Sequence, residues 1–395
     1  MRRLQLTSLC LVLAFYLTAR LRAQASTPPQ ELQAENARIQ ELWKGRKFEE
    51  ALAILTAWDQ SATFGQLAAE TRAGVHYNMA CAASLLGRRG EALAYLGTAV
   101  GEGLKDWTTF SADPDLDPLR KEPGFLWLEG IVRHRGDFVG ILQRFKDYGP
   151  APASATAAAP TFAYQAADAP DLVALRKACR LDEAAGTGPE FERIVNLMRW
   201  VHAQVRHDGS SKNPEPMNAL HLLEVCRAEK RGINCRMMAT ILNEVYLSLG
   251  FKSRQVTCQP LDEKDPDCHV ITTVWSNDLG KWLYMDPTME AWFTDGQGHP
   301  LSIAEVRERL ISGGPLELAK GANWNGRPEN PATYKAYMAK NLVRITCPVE
   351  SAFGYESRPE RRYVTLDGLS FPPRPARDAA GGVIMHDPAA FWARP

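Results

Sequence analysis

The sequence predicts an α+β protein in which a helix bearing a cysteine packs on an antiparallel sheet, preceded by an α-helical, repeat-like region. Three observations predict it. From Cys235 onward, Met238, Ile241, Leu242, Val245 and Leu249 recur with helical period until Gly250. Runs near Ser253–Cys258, His269–Trp275 and Trp282–Met285 then take strand character, the last two joined by a turn at Asn277–Gly280. Upstream, LQAENARIQELWKG, RKFEEALAILTAW, GVHYNMACAASLLG and RRGEALAYLGTAV carry apolar residues at three-to-four spacing, with Gly45 and Gly87 as stops. Helices first and an antiparallel sheet after them define the class.

At 395 residues, the length suggests two or three domains. A hydrophobic content of 45% with 23% charged residues is ordinary for a globular chain with real cores. The 46 basic and 46 acidic side chains cancel, and no basic block occurs, so no nucleic-acid or anionic-membrane partner is expected. Residues 1–25 join a basic MRR start, an apolar Leu9–Leu17 run and a small-residue site at Ala23-Gln24-Ala25. That pattern predicts a signal peptide and an exported product, periplasmic or secreted, without a membrane span in its mature form.

Segment by segment, residues 26–148 are expected to form the helical region. GRKFEEALAIL and GRRGEALAYL echo each other, Ala51 matching Ala92. Residues 149–170 are rich in Ala and Pro and predict a linker to which Phe162 and Tyr164 add two aromatic side chains. Residues 171–315 predict the sheet-bearing domain. Residues 316–395 contain NLVRITCPV and RRYVTLDGL, strand-like runs expected to complete or cover the sheet.

Chemistry concentrates between Arg231 and Asp286. A thiol at a helix start meets unpaired N–H groups and the positive end of the dipole, both of which favour thiolate at Cys235. His269 opens a β-branched strand, and Asp286 ends the next one. Strand alternation turns both toward one face. Cys235, His269 and Asp286 are therefore the catalytic candidates: nucleophile, general base and acid, and orienting carboxylate. The backbone N–H of Cys235 is the natural first oxyanion donor, and Asn234, Asn218 or Trp275 are candidate side-chain donors. Trp282, Tyr284 and Trp292 are candidates for a substrate cleft. Cys258, Asp267, Cys268 and His269 cluster in sequence, but alternation separates Cys268 from His269, so no metal and no cofactor is expected. His202, His207, His221, His299 and His386 are expected to be packing or surface residues. Eight cysteines, less Cys10, leave seven: one reactive thiol and at most one disulfide, for which Cys258 and Cys268 flank a suitable hairpin.

GINCRMMATIL, DCHVITTVW and LYMDPT together resemble, in order, the three motifs of the transglutaminase-like (papain-like thiol) superfamily. The resemblance extends over roughly residues 185 to 315, through FERIVNLMRWVHAQV, NALHLLEVCRAEKRG and AWFTDGQGHPLSIAEVRERL. It implies a papain/transglutaminase-like catalytic core with the family's Cys, His and Asp at Cys235, His269 and Asp286. It also implies a thiol enzyme acting on peptide or glutaminyl amide bonds of a peptide or protein substrate. Water as acceptor makes it a protease or amidase, an amine makes it a transglutaminase, and hydrolysis is favoured. Tyr77, Gly87, Ala92 and Ala99 resemble the packing pattern of tetratricopeptide repeats, which implies a protein partner for the helical region or a helical cap. The alternative function is a non-catalytic transglutaminase-like scaffold that binds an envelope protein through that region.

Overall fold

Residues 30–148, 161–262, 265–367 and 382–395 are described by the computed structural model. The expected signal peptide, and residues 149–160 of the expected linker, lie outside them. The chain divides into two units, Met1–Asp137 and Phe138–Pro395.

The first unit is helical: α1 Gln30–Lys44, α2 Phe48–Asp59, α3 Ala69–Leu85, α4 Arg89–Gly101, α5 Trp107–Ala112 and α6 Pro123–Gly136. The echoed alanines Ala51 and Ala92 sit in the second turns of α2 and α4 with no exposed surface. Their small side chains let each helix lie close against α3, which is buried from Ala73 to Ser84. Two aspartates are buried below α3 with their donors supplied: Tyr77 donates to Asp113 at 2.7 Å and the Trp43 indole to Asp115 at 3.0 Å.

The second unit begins one helix earlier than sequence periodicity suggests. Helix α7, Phe138–Arg144, belongs to it rather than to the helical region, because Phe138, Val139 and Leu142 face its core. The unit is built on a six-stranded sheet: β1 Ser253–Gln259, β2 His269–Ser276, β3 Lys281–Met285, β4 Arg344–Pro348, β5 Tyr363–Leu366 and β6 Val383–Met385, in the order β6-β5-β4-β1-β2-β3. All neighbours are antiparallel except β5 and β6. The segment after residue 316 thus supplies the half of the sheet next to β1.

Two apolar layers cover the sheet. On one face lie α8 Glu190–Gln204, α9 Ala219–Glu229 and α10 Cys235–Ser248, with Ile194, Met198, Leu222, Met238, Ile241 and Val245 against Val274 and Leu283. On the other lie α7, α11 Ile303–Ser312 and α12 Pro331–Asn341, packed against Val256, Ile271 and Ile345. Helix α10 is buried continuously from Met237 to Ser248, and Gly250 ends it in the left-handed region at φ 88°. Phe162 and Tyr164 pack around Arg254, which is 1% exposed; its guanidinium lies 3.6 Å from the Phe162 ring and 4.3 Å from that of Trp282. It donates to the Tyr164 hydroxyl and the Phe391 carbonyl at 2.6 Å each, so aromatic faces and neutral oxygens hold this buried cation.

Candidate active site

Asn234 caps α10: its side-chain Oδ1 accepts from the Met237 N–H at 3.2 Å, which makes Cys235 the first helical residue. The Cys235 N–H is therefore one of the orphan donors of a helix start. Its side chain is partly exposed. Burial pushes the thiol up, but hydrogen bonds from His207 and His269, and the charge of the His269 ring, outweigh it and lower its pKa to about 6.

His269 and Asp286 meet because of strand register. Thr272 pairs with Met285, which places Ile271 across from Asp286 and His269 diagonally adjacent on the same face. His269 Nε2 lies 2.6 Å from Asp286 Oδ2, leaving Nδ1 for the thiol. Burial pulls the His269 pKa down, but the Asp286 charge and hydrogen bond, with Cys235 beyond, lift it to about 10. Burial raises Asp286, yet His269, Tyr334 and the Thr288 N–H more than offset this and hold it below the ordinary carboxylate range. Both carboxylate oxygens are engaged. Oδ2 also accepts from the Tyr334 hydroxyl at 2.6 Å, and Oδ1 accepts from the N–H groups of Thr288 at 2.8 Å and Met289 at 3.3 Å. A thiolate and an imidazolium, fixed by a carboxylate that cannot turn, form the arrangement of a papain-like thiol enzyme.

Helix α12 backs this pair along one face. Tyr334 holds Asp286, the Tyr337 ring meets the His269 ring edge-on at 5.4 Å, and Lys340 binds Asp267 at 2.7 Å and Asp265 at 2.9 Å in the loop entering β2. A cleft of about 610 Å³ has Arg236 in its wall and Thr257, Thr346 and Thr365 side by side on β1, β4 and β5 as its floor; Cys235, His269 and Asp286 are not among the residues that line it.

Several sequence expectations need correction. Trp275 is no oxyanion donor: it lies at the far end of β2, paired with Trp282, about 20 Å along the strand from His269. The Asn234 side chain is committed to its cap and, through Nδ2, to Asn213 at 2.9 Å, while Asn218 caps α9 by accepting from the His221 N–H. Tyr284 does not line a cleft; it is fully buried and hydrogen-bonds Tyr334 at 2.6 Å. Trp282 packs on Arg254, and Trp292 lies on α8 beside Phe191 and Arg199. Cys258 pairs with His269 in the ladder and faces the core, and among the described residues no cysteine is disulfide-bonded. His207, expected to be an ordinary surface or packing residue, stands at the thiol, 6% exposed. Its signal was faint: it lies in the turn after α8, next to Asp208-Gly209. Tyr334 carried no signal at all.

The family model for the Transglutaminase-like superfamily matches residues 180–287, a range that contains His207, Cys235, His269 and Asp286. Those residues form a transglutaminase-like domain. Trp324 and Tyr334, which touch His207 and Asp286, lie beyond the match, so the segment after it completes the site of the transglutaminase-like domain. Among solved structures the chain is similar to "a Putative Cysteine Protease from Cytophaga hutchinsonii", at 15% identity and a TM-score of 0.25, over 45% of this chain and 58% of that one. The chain thus spans little more than half the length of that relative. No curated protein matches it.

Proposed function

We propose that this protein is an exported thiol hydrolase that cleaves amide bonds of a peptide or protein through an acyl-enzyme on Cys235. The observation that carries the reading is the ordered contact of thiol, imidazole and saturated carboxylate: Cys235 with His269, and His269 with Asp286 at 2.6 Å.

The reaction follows from those charges. The thiolate attacks the carbonyl carbon, and the C=O electron pair moves to oxygen. Collapse of the tetrahedral adduct restores the carbonyl and breaks the C–N bond, while the His269 imidazolium gives its proton to the departing amine. Neutral His269 then takes a proton from water, whose oxygen attacks the thioester. The acid leaves, and Cys235 and His269 return to thiolate and imidazolium. Asp286 keeps the ring oriented throughout and stabilises its charge.

Hydrolysis, the outcome favoured from the sequence, and amine transfer share this acyl-enzyme and differ only in the nucleophile that attacks the thioester. The test is mass spectrometry of the intact protein and of a peptide library incubated with it in the presence of a primary amine. Cleaved or deamidated peptides that depend on Cys235 support the proposal. Amine-labelled peptides in their place would assign transfer, and an absence of both, together with no acyl adduct, would end the enzymatic reading.

A further inference from the structure

Acyl transfer needs more than a nucleophile and a base, because negative charge builds on the substrate carbonyl oxygen as the C–S bond forms. The Cys235 N–H supplies one donor, and the side-chain donors expected from sequence are engaged elsewhere or distant. We infer that His207 is the missing donor, its Nε2–H pointing at the oxygen that becomes the oxyanion. The inference rests on the proposed thiol mechanism and adds a catalytic residue to it.

The Trp324 indole Nε1–H donates to His207 Nδ1 at 2.9 Å. An indole nitrogen only donates, so Nδ1 must accept and the ring proton resides on Nε2. Nε2–H is then the group that His207 presents to the Cys235 sulfur, which receives hydrogen bonds from both imidazoles. His269, bound to Asp286 through its own Nε2, moves protons. His207, bound to an indole, is built to donate a hydrogen bond and keep its proton.

The donor is also held rigidly. The Asn325 side chain accepts from the His207 N–H at 2.8 Å and donates to the His207 carbonyl at 3.0 Å. On the other side, Asp208 N–H donates to the Ile233 carbonyl at 2.8 Å and Ile233 N–H to the Arg206 carbonyl at 3.0 Å. Residues 206–208 are thereby clamped, through an isolated β-bridge between His207 and Ile233, to the segment that leads into Asn234-Cys235. Gly232 makes this approach possible: a Cβ there would stand 2.7 Å from the Arg206 carbonyl oxygen. A donor fixed by backbone and side-chain bonds before substrate arrives needs no reorganisation during reaction, which is where oxyanion stabilisation is most effective.

The rival role is simple stabilisation of the thiolate. Two reagents separate the roles. p-Nitrophenyl acetate acylates Cys235 through a tetrahedral oxyanion: the sulfur–carbon bond forms, charge passes to the carbonyl oxygen, and p-nitrophenolate leaves as the thioester closes. Iodoacetamide alkylates the same sulfur by displacing iodide, and no charge develops on a carbonyl oxygen. The ratio of the two rates is read for wild type, His207→Ala, His207→Gln and Trp324→Phe, each checked for folding by far-UV circular dichroism. The ratio of acylation to alkylation is expected to fall about 100-fold in His207→Ala, as on loss of one oxyanion donor. It should recover in part in His207→Gln, which keeps an N–H donor. It should drop roughly tenfold in Trp324→Phe, whose imidazole is free to change tautomer. Equal loss of both rates would assign His207 to the thiolate alone and overturn the inference. If His207→Ala does not fold, an unchanged ratio in Trp324→Phe overturns it equally. A wild type that alkylates rapidly yet never forms the acetyl thioester would bring down the thiol-hydrolase reading itself, and the inference with it.

Discussion

Tyr334 donates its hydroxyl proton to Asp286 Oδ2 at 2.6 Å, the same oxygen that binds His269. Because that proton is committed, the Tyr284 hydroxyl, 2.6 Å from Tyr334, must be the donor in their contact. A short chain of hydroxyls therefore ends on the carboxylate that orients the imidazole.

Tyr334→Phe should cut this chain without emptying the core. The variant removes one charge-assisted bond and strands the Tyr284 hydroxyl, a loss of about 1–3 kcal/mol in unfolding free energy. Acylation by p-nitrophenyl acetate should slow by about tenfold, since one orienting bond is lost while His269 and Asp286 remain. Urea titration and the acylation burst measure the two effects. Wild-type acylation in a variant of reduced stability would assign Tyr334 to the fold alone.

The pH dependence of Cys235 alkylation has a definite sign. A depressed thiol pKa gives thiolate above about 6, and a raised His269 pKa keeps imidazolium below about 10, so the ion pair spans that window. The iodoacetamide rate should rise to a plateau through pH 6 rather than near the ordinary thiol range of about 8.5. In His269→Ala the rise should move toward the ordinary range, as measured by mass spectrometry of the labelled protein. A wild-type rise centred above pH 8 would contradict an activated thiol.

Glu244 predicts a second pH effect, on stability. Burial raises this carboxyl to about 8, even though the Ala219 and Gly354 N–H groups donate to it at 2.7 and 2.9 Å. The folded state thus binds its proton more tightly than the unfolded state. Its stabilising effect is full below the ordinary value near 4.5 and is lost as pH rises through 8. Thermal melts should show stability declining across that window by an amount on the order of a few kcal/mol. Glu244→Gln should flatten the decline while costing about 1–3 kcal/mol at acid pH, because an amide cannot accept from both N–H groups.

Gly232→Ala tests the close approach that seats His207. The added Cβ would meet the Arg206 carbonyl at 2.7 Å and the Asp208 side chain at 2.8 Å, so residues 206–208 must shift. A destabilisation of about 1–3 kcal/mol is expected from the overpacking. The acylation rate should fall more than the alkylation rate. Equal rates to wild type in a folded variant would show that the seat tolerates the shift.

Local signals carried much of the architecture. Cys235 as a helix start was legible because a cap residue, a glycine and a 3.6-residue apolar period are all written within a few positions of each other. His269 and Asp286 on adjacent strands were legible for a similar reason, since alternation and a four-residue turn define which side chains share a face. The expected strand at Arg344–Pro348 was visible, but not that it would sit beside β1 in the middle of the sheet. Residues 138–144 fell inside the region expected to be helical, with nothing local to say which core they would join.

The sequence by itself determined the cysteine-led helix, the strands that follow it and the order of thiol, imidazole and carboxylate, because these depend on neighbours along the chain. Only the tertiary structure decided that Trp324 fixes the His207 tautomer, that Tyr334 and the backbone of Thr288 and Met289 saturate Asp286, and that Trp275 lies far from the site. Those contacts join segments over a hundred residues apart in the case of His207 and Trp324. Nothing in the local pattern of either segment specifies its partner; packing across the sheet does.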